Sequence, residues 1–216
     1  MNRLSGLLAS LMLVAGLATQ PAQASLLLDL TTGGSSVPCG SCAAGTTFGW
    51  SFRVINAVTI NQLGLWDAGA NGLGVASADV GLWTANGNLL ASATVTDASE
   101  QVASASTDGE WLFENISDLI LLPGSYVIGS VFLSNAPLAQ VSSPFVTVAD
   151  IALTGGVQGP NSAGLSFPGQ SFQVPIFGPT MRQADRVPEP TGLALISLAL
   201  GLMVVTRRRG AAARQD

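Results

Sequence analysis

The chain has no histidine and no lysine, and its 216 residues include only eight arginines, two cysteines and one tyrosine. Without histidine there is no Ser-His-Asp or Cys-His machinery, and the commonest zinc ligand is missing. Two cysteines alone do not make a zinc site. Positive charge is equally scarce. Residues 25–187 carry three arginines (Arg53, Arg182, Arg186) against eleven carboxylates, a balance of −8. Such a surface repels phosphate backbones, which argues against a nucleic-acid partner.

What the chain does have is a pair of ends that read as addresses. Arg3, an apolar stretch over residues 7–18 and the small residues of Ala22-Gln23-Ala24 form a secretory signal peptide, with cleavage expected between Ala24 and Ser25. At the other end, residues 192–205 form an apolar run of 14. As a helix it would rise about 21 Å against a hydrocarbon core of about 30 Å, which is short for a span. Arg207, Arg208 and Arg209 follow it and act as a stop-transfer signal, with the tail on the cytoplasmic side. Val187-Pro188-Glu189-Pro190 precedes it. Each proline fixes its own φ and disfavours helix in the residue before it, so the motif is rigid and extended. The residues alone leave two outcomes open: a retained anchor on a stiff linker, or a tail that is read and removed.

The order Val187-Pro188-Glu189-Pro190, short apolar helix, arginine cluster resembles a PEP-CTERM sorting signal. That resemblance implies recognition by an exosortase, a membrane-embedded cysteine-protease-like enzyme cutting near the motif. It also implies a Gram-negative host making extracellular polysaccharide. The middle of the chain is similar to a β-rich domain often found before such tails, through TFGWSFRV, INQLGLWDAGANGLGVASADVGLWTANGNLLASATV and LLPGSYVIGSVF. This second resemblance implies a fold and brings no active site.

The residues themselves also predict β structure. Phe48, Trp50, Phe52 and Val54 alternate with Thr47, Gly49, Ser51 and Arg53, the period of a strand. The run 58–66 continues the pattern with a slip at Asn61-Gln62 that suggests a bulge. Runs 78–84 and 89–95 flank Asn86-Gly87, a hairpin signal. Pieces over 111–114 and 119–122 lead through Pro123-Gly124 into a strand over 125–132. Beyond residue 135 only 145–148 and 171–176 look β-like. The expected fold is an all-β antiparallel sandwich over residues 25–180, with seven to nine strands and a jelly roll as one form of it. A linker follows over 181–190, then a short transmembrane helix over 191–206 and a basic tail over 207–216.

Candidate chemistry is thin. Cys39 and Cys42 sit in a Gly/Ser-rich stretch, without the helix N-terminus that would activate a thiolate, and after export a small-loop disulfide is the simplest outcome. The loop from Asp67 to Gly74, with Asp79 beyond, offers too few oxygens for calcium and reads as turn formers tolerant of positive φ. Asp108, Glu110, Glu114 and Asp118 could supply a carboxylate pair for glycoside cleavage, but read more simply as solvated. Trp50, Trp66 and Trp83 fall in strand patterns and belong to a core, whereas Trp111, beside acids, is the exposed candidate for stacking on sugar. No cofactor and no metal site is implied. The function expected is that of an exported, non-enzymatic structural or adhesive protein of the envelope or polysaccharide matrix, processed by exosortase and passing through the membrane. A carbohydrate-binding module using Trp111 or Tyr126, with or without calcium, is the alternative, and a glycosidase a further one.

Overall fold

Alternation of apolar and small polar residues is converted into strands throughout the computed structural model, which describes residues 25–34, 44–132, 144–162, 164–173 and 175–184. Every element among these residues is a strand or a turn. The strands are β1 (Leu28–Leu30), β2 (Thr46–Val54), β3 (Val58–Ala68), β4 (Ala78–Thr84), β5 (Leu89–Val95) and β6 (Glu100–Ala103). They continue with β7 (Gly109–Leu121), β8 (Gly124–Val131), β9 (Phe145–Thr147), β10 (Ile151–Asn161), β11 (Gln170–Phe172) and β12 (Pro179–Gln183). All pairings are antiparallel and give a six-stranded sheet, order β11-β10-β2-β8-β4-β5, and a four-stranded sheet, order β12-β3-β7-β6. β1 and β9 form a separate antiparallel pair.

The two larger sheets share one core. Trp50, Phe52, Val54, Val80, Leu82 and Ile128 from the first pack in a single cluster with Ile60, Leu63, Leu65, Trp66 and Met181 from the second. Phe48, Trp50, Phe52 and Val54 are buried together on one face of β2, as their period requires. The expected hairpin is β4–β5, with Gly87 at φ +88°. The slip at Asn61 is a register shift between Ile60 and Gln62 against β7.

Several expectations need correction. Twelve strands are present among the described residues, where seven to nine were expected. The piece over 111–114 and all but the last residue of the piece over 119–122 belong to one 13-residue strand, β7. β10 was not expected, because Gly155, Gly156, Gly159 and Pro160 read as turn residues; two register shifts against β2 accommodate them. β12 runs to Gln183, so the boundary expected at residue 180 falls inside a strand.

A second packing surface lies on the opposite face of the six-stranded sheet. Gly49, Gly129 and Gly81 stand opposite one another on β2, β8 and β4. The segment 164–168 closes over this face: Ser166 N–H donates to Thr47 Oγ1, a Cβ on Gly129 would meet Pro168, and Phe167 packs on Trp83. A Cβ on Gly49 would lie 1.9 Å from the Ile128 carbonyl oxygen, so this row needs glycine for close approach.

The N-terminal segment belongs to the fold. Leu27 N–H donates to Met181 O and Gln183 N–H to Ser25 O, which adds residues 25–27 beside β12. The chain then crosses the face of the four-stranded sheet that carries Thr180, Trp66 and Trp111, and each donates a hydrogen bond to it: Thr180 Oγ1 to Leu28 O, Trp111 Nε1 to Asp29 Oδ1 and Trp66 Nε1 to Gly34 O. Ala22, Ala24, Cys39, Cys42, Val187–Pro190, the run 191–206 and Arg207–Arg209 lie outside the described residues. Among those that are described, no helix is long and apolar enough to cross a membrane.

Candidate functional site

The acidic loop and the acidic strand that the sequence singled out separately meet at one end of the four-stranded sheet. β3 and β7 pair with Asp67 opposite Glu110, and the loop after β3 folds back over them. Asp67, Ala70, Asn71, Gly72, Asp97, Gln101, Glu110 and Leu112 line a cleft of about 240 Å³. Like charges opposite each other on neighbouring strands destabilise a sheet unless something engages them. Here Asp67, only 2% exposed, accepts hydrogen bonds from the backbone N–H of Asn71 at 3.4 Å and of Gly72 at 2.9 Å. Asp97 likewise accepts from Leu73 N–H at 2.7 Å.

The loop's geometry follows from these bonds. Positive φ falls on Gly69, Ala70, Gly72 and Gly74, while the carboxylates of Asp67 and Asp97 fold the chain around themselves. Reading Asp67 as a turn former therefore describes what it does, although the left-handed non-glycine residue is Ala70 and not Asn71. Asp79 is elsewhere, on β4, accepting from Thr94 Oγ1 at 2.7 Å. Among the described residues no three acids or cysteines stand close enough together to hold a metal ion.

The four acids of the 108–118 stretch are not brought together. Asp108 sits in the turn before β7, where its carbonyl accepts from Gly69 N–H. Glu110 lines the cleft, Glu114 accepts from Ser99 Oγ at 2.5 Å, and Asp118 lines a different cleft of about 330 Å³ between β5 and β7. Glu110 does face a cleft with other carboxylates, but these are Asp67 and Asp97. Asp97, in the turn after β5, was missed because nothing in its neighbourhood of the sequence marks it.

A polar network crosses the four-stranded sheet near the middle of β3 and β7. Gln62 Nε2 donates to Glu100 Oε2 at 2.6 Å and to Asn115 Oδ1 at 3.0 Å, while Arg182 Nη1 donates to Gln62 Oε1 at 3.0 Å and to Glu100 Oε1 at 2.8 Å. The Gln62 hydrogen bond lowers the Glu100 pKa most, burial opposes it, and the hydrogen bond and charge of Arg182 add to the lowering, which leaves it below its ordinary value.

The aromatic residues give the clearest correction. Trp111, expected to be exposed, is fully buried edge-on against Trp66 with ring centroids 4.9 Å apart, its indole N–H held by Asp29 at 2.8 Å. Acids stand near it in the sequence at Glu110 and Glu114, but its cross-strand partner is Trp66 and the N-terminal segment covers both. Trp50, Trp66 and Trp83 are buried as expected. Tyr126 is half-buried, stacked on Phe52, and its hydroxyl donates to Leu122 O. None of the described tryptophans offers an open face to a sugar ring. Comparison with protein-family models, with curated proteins and with solved structures finds no match.

Proposed function

We propose that this is an exported, non-enzymatic structural or adhesive protein of the cell envelope or extracellular polysaccharide matrix, delivered by its N-terminal signal and sorted through its C-terminal Pro-Glu-Pro tail, where an exosortase cuts it. The observation that supports this reading is that described residues close to the two expected cleavage points, Ser25 and Gln183, pair with each other. Ser25, the expected first residue after signal cleavage, donates its hydroxyl to Gln183 Oε1 at 2.8 Å and accepts from Gln183 N–H. Ala184, the last described residue before the tail, donates its N–H to Thr59 O. Cutting at both expected junctions leaves the pairing of Ser25 with Gln183 intact.

The fold fits a β-sandwich of jelly-roll type. β2 pairs with β8 in one sheet while β3 pairs with β7 in the other, two nested antiparallel pairs of the kind a jelly roll wraps. The carbohydrate-binding alternative loses Trp111, which is buried, and the glycosidase alternative has in its cleft two carboxylates, Asp67 and Asp97, already engaged by backbone N–H groups of the loop after β3. Intact mass of the protein from envelope and culture supernatant tests the proposal. The expected species begins at Ser25, ends within residues 187–190 and lacks the arginines. A mature species retaining residues 207–216 would make the tail an anchor and overturn the sorting step.

A further inference from the structure

The end of the domain from which the chain departs also carries the two most exposed large apolar side chains among the described residues, Ile120 and Leu122, with Ile55 beside them. Ile120 and Leu122 are each 63% exposed and Ile55 43%. Strand register brings them together. Val54 pairs with Gly124 and Val58 with Leu121, so the β2–β3 turn carrying Ile55 and the β7–β8 turn carrying Leu122 and Pro123 lie side by side. Ile120 stands opposite Thr59, and Thr59 O accepts from Ala184 N–H on its other side. Ile120 is thus two strands from the departing chain, about 10 Å.

We propose that Ile55, Ile120 and Leu122 form a membrane-docking face that seats the domain on a zwitterionic lipid bilayer. The proposal rests on reading residues 191–206 as membrane-inserting. Seven residues, 185–191, separate Ala184 from the apolar run. Seven residues span at most about 25 Å, so a membrane-inserted run lies no farther than that from Ala184. A tethered surface needs little affinity of its own, because the second contact is intramolecular. Amphipathic surfaces bind by placing apolar side chains at the boundary between headgroups and acyl chains, and aliphatic residues on two adjacent turns suit that depth. The nearby charges select the lipid: Arg53 is exposed on β2, whereas Asp118 is exposed on β7 and Asp150 is bonded to Asn56 beside Ile55. Two carboxylates against one guanidinium disfavour an anionic surface and leave a neutral one.

The test reconstitutes the full chain in phosphatidylcholine liposomes carrying acyl-brominated lipid, which quenches tryptophan at the bilayer. Leu122→Trp adds a reporter at the proposed face, and Ile55→Trp a second on the neighbouring turn. Asn71→Trp, exposed at the far end of the 11-residue β3, lies about 35 Å away and serves as control. The expected result is that bromolipid removes at least half of the added emission of Leu122→Trp and Ile55→Trp and leaves that of Asn71→Trp unchanged. If the chain floats with the liposomes but all three reporters are unquenched, or all are quenched alike, the docking face is wrong while membrane insertion of the tail stands. If the chain fails to float with them, the reading of 191–206 fails and the docking face with it.

Discussion

Replacing Asp29 by alanine should destabilise the whole domain, although the residue belongs to a three-residue strand near the signal-cleavage junction. Its carboxylate accepts from Trp111 Nε1 at 2.8 Å, Ser104 Oγ at 2.6 Å, Leu30 N–H at 2.9 Å and Ala105 N–H at 3.0 Å. Ser104 has a second acceptor in Leu30 O at 3.0 Å, and Ala105 is exposed to water, so both recover part of what they lose. Trp111 and Leu30 are fully buried and do not. A buried donor left without a partner costs about 1–3 kcal/mol, and hydrogen bonds to a charged acceptor contribute about 1.5–3 kcal/mol. The loss is therefore about 3 kcal/mol, against a total stability of about 5–15 kcal/mol. For a domain of this size it should lower Tm by about 6–12 °C. Calorimetry of the full chain measures the shift, and near-UV circular dichroism reads the Trp66–Trp111 pair directly. Asp29→Asn retains an oxygen for Trp111 and should recover about half the loss. Asp79→Ala, which removes only a partly exposed bond to Thr94, should stay within about 0.5 kcal/mol of the parent. A fall of less than about 2 °C for Asp29→Ala, with the near-UV signal unchanged, would refute the idea that the N-terminal segment is held through Trp111.

Gly49→Ala should cost more than about 2 kcal/mol, because its Cβ meets backbone that cannot step aside, whereas Gly164→Ala, with nothing within 4 Å, should be close to neutral; chemical denaturation compares the two. Ser130→Ala should be neutral or stabilising by up to about 1 kcal/mol in the same assay, since Ser130 Oγ is buried without a hydrogen-bond partner. Glu100 has its pKa lowered on folding, so its contribution is present at neutral pH and is lost as pH falls through the folded value, below the ordinary glutamate value of about 4.3. The Tm difference between the parent and Glu100→Gln should accordingly shrink as pH is lowered from 7 to about 3, and the gap at pH 7 should be small because the carboxylate is 49% exposed.

The sequence by itself determined the all-β class and the strongest local elements. Period-two alternation over residues 48–54 specifies which face of β2 is buried, and Asn86-Gly87 specifies the β4–β5 hairpin, because both are properties of chain segments shorter than ten residues. Tertiary structure decided the rest. Trp111 looked exposed because its neighbours Glu110 and Glu114 are acidic, yet its environment is set by Trp66 across the sheet and by Asp29, 82 residues away in sequence. β10, rich in glycine, is a strand only because β2 offers a partner edge and two register shifts absorb its irregularity. The cleft joins Asp67, Asp97 and Glu110 from three separate segments, and the apolar end joins Ile55 to Ile120 and Leu122. Antiparallel register creates both groupings, and register depends on pairings between distant segments, which no local window contains.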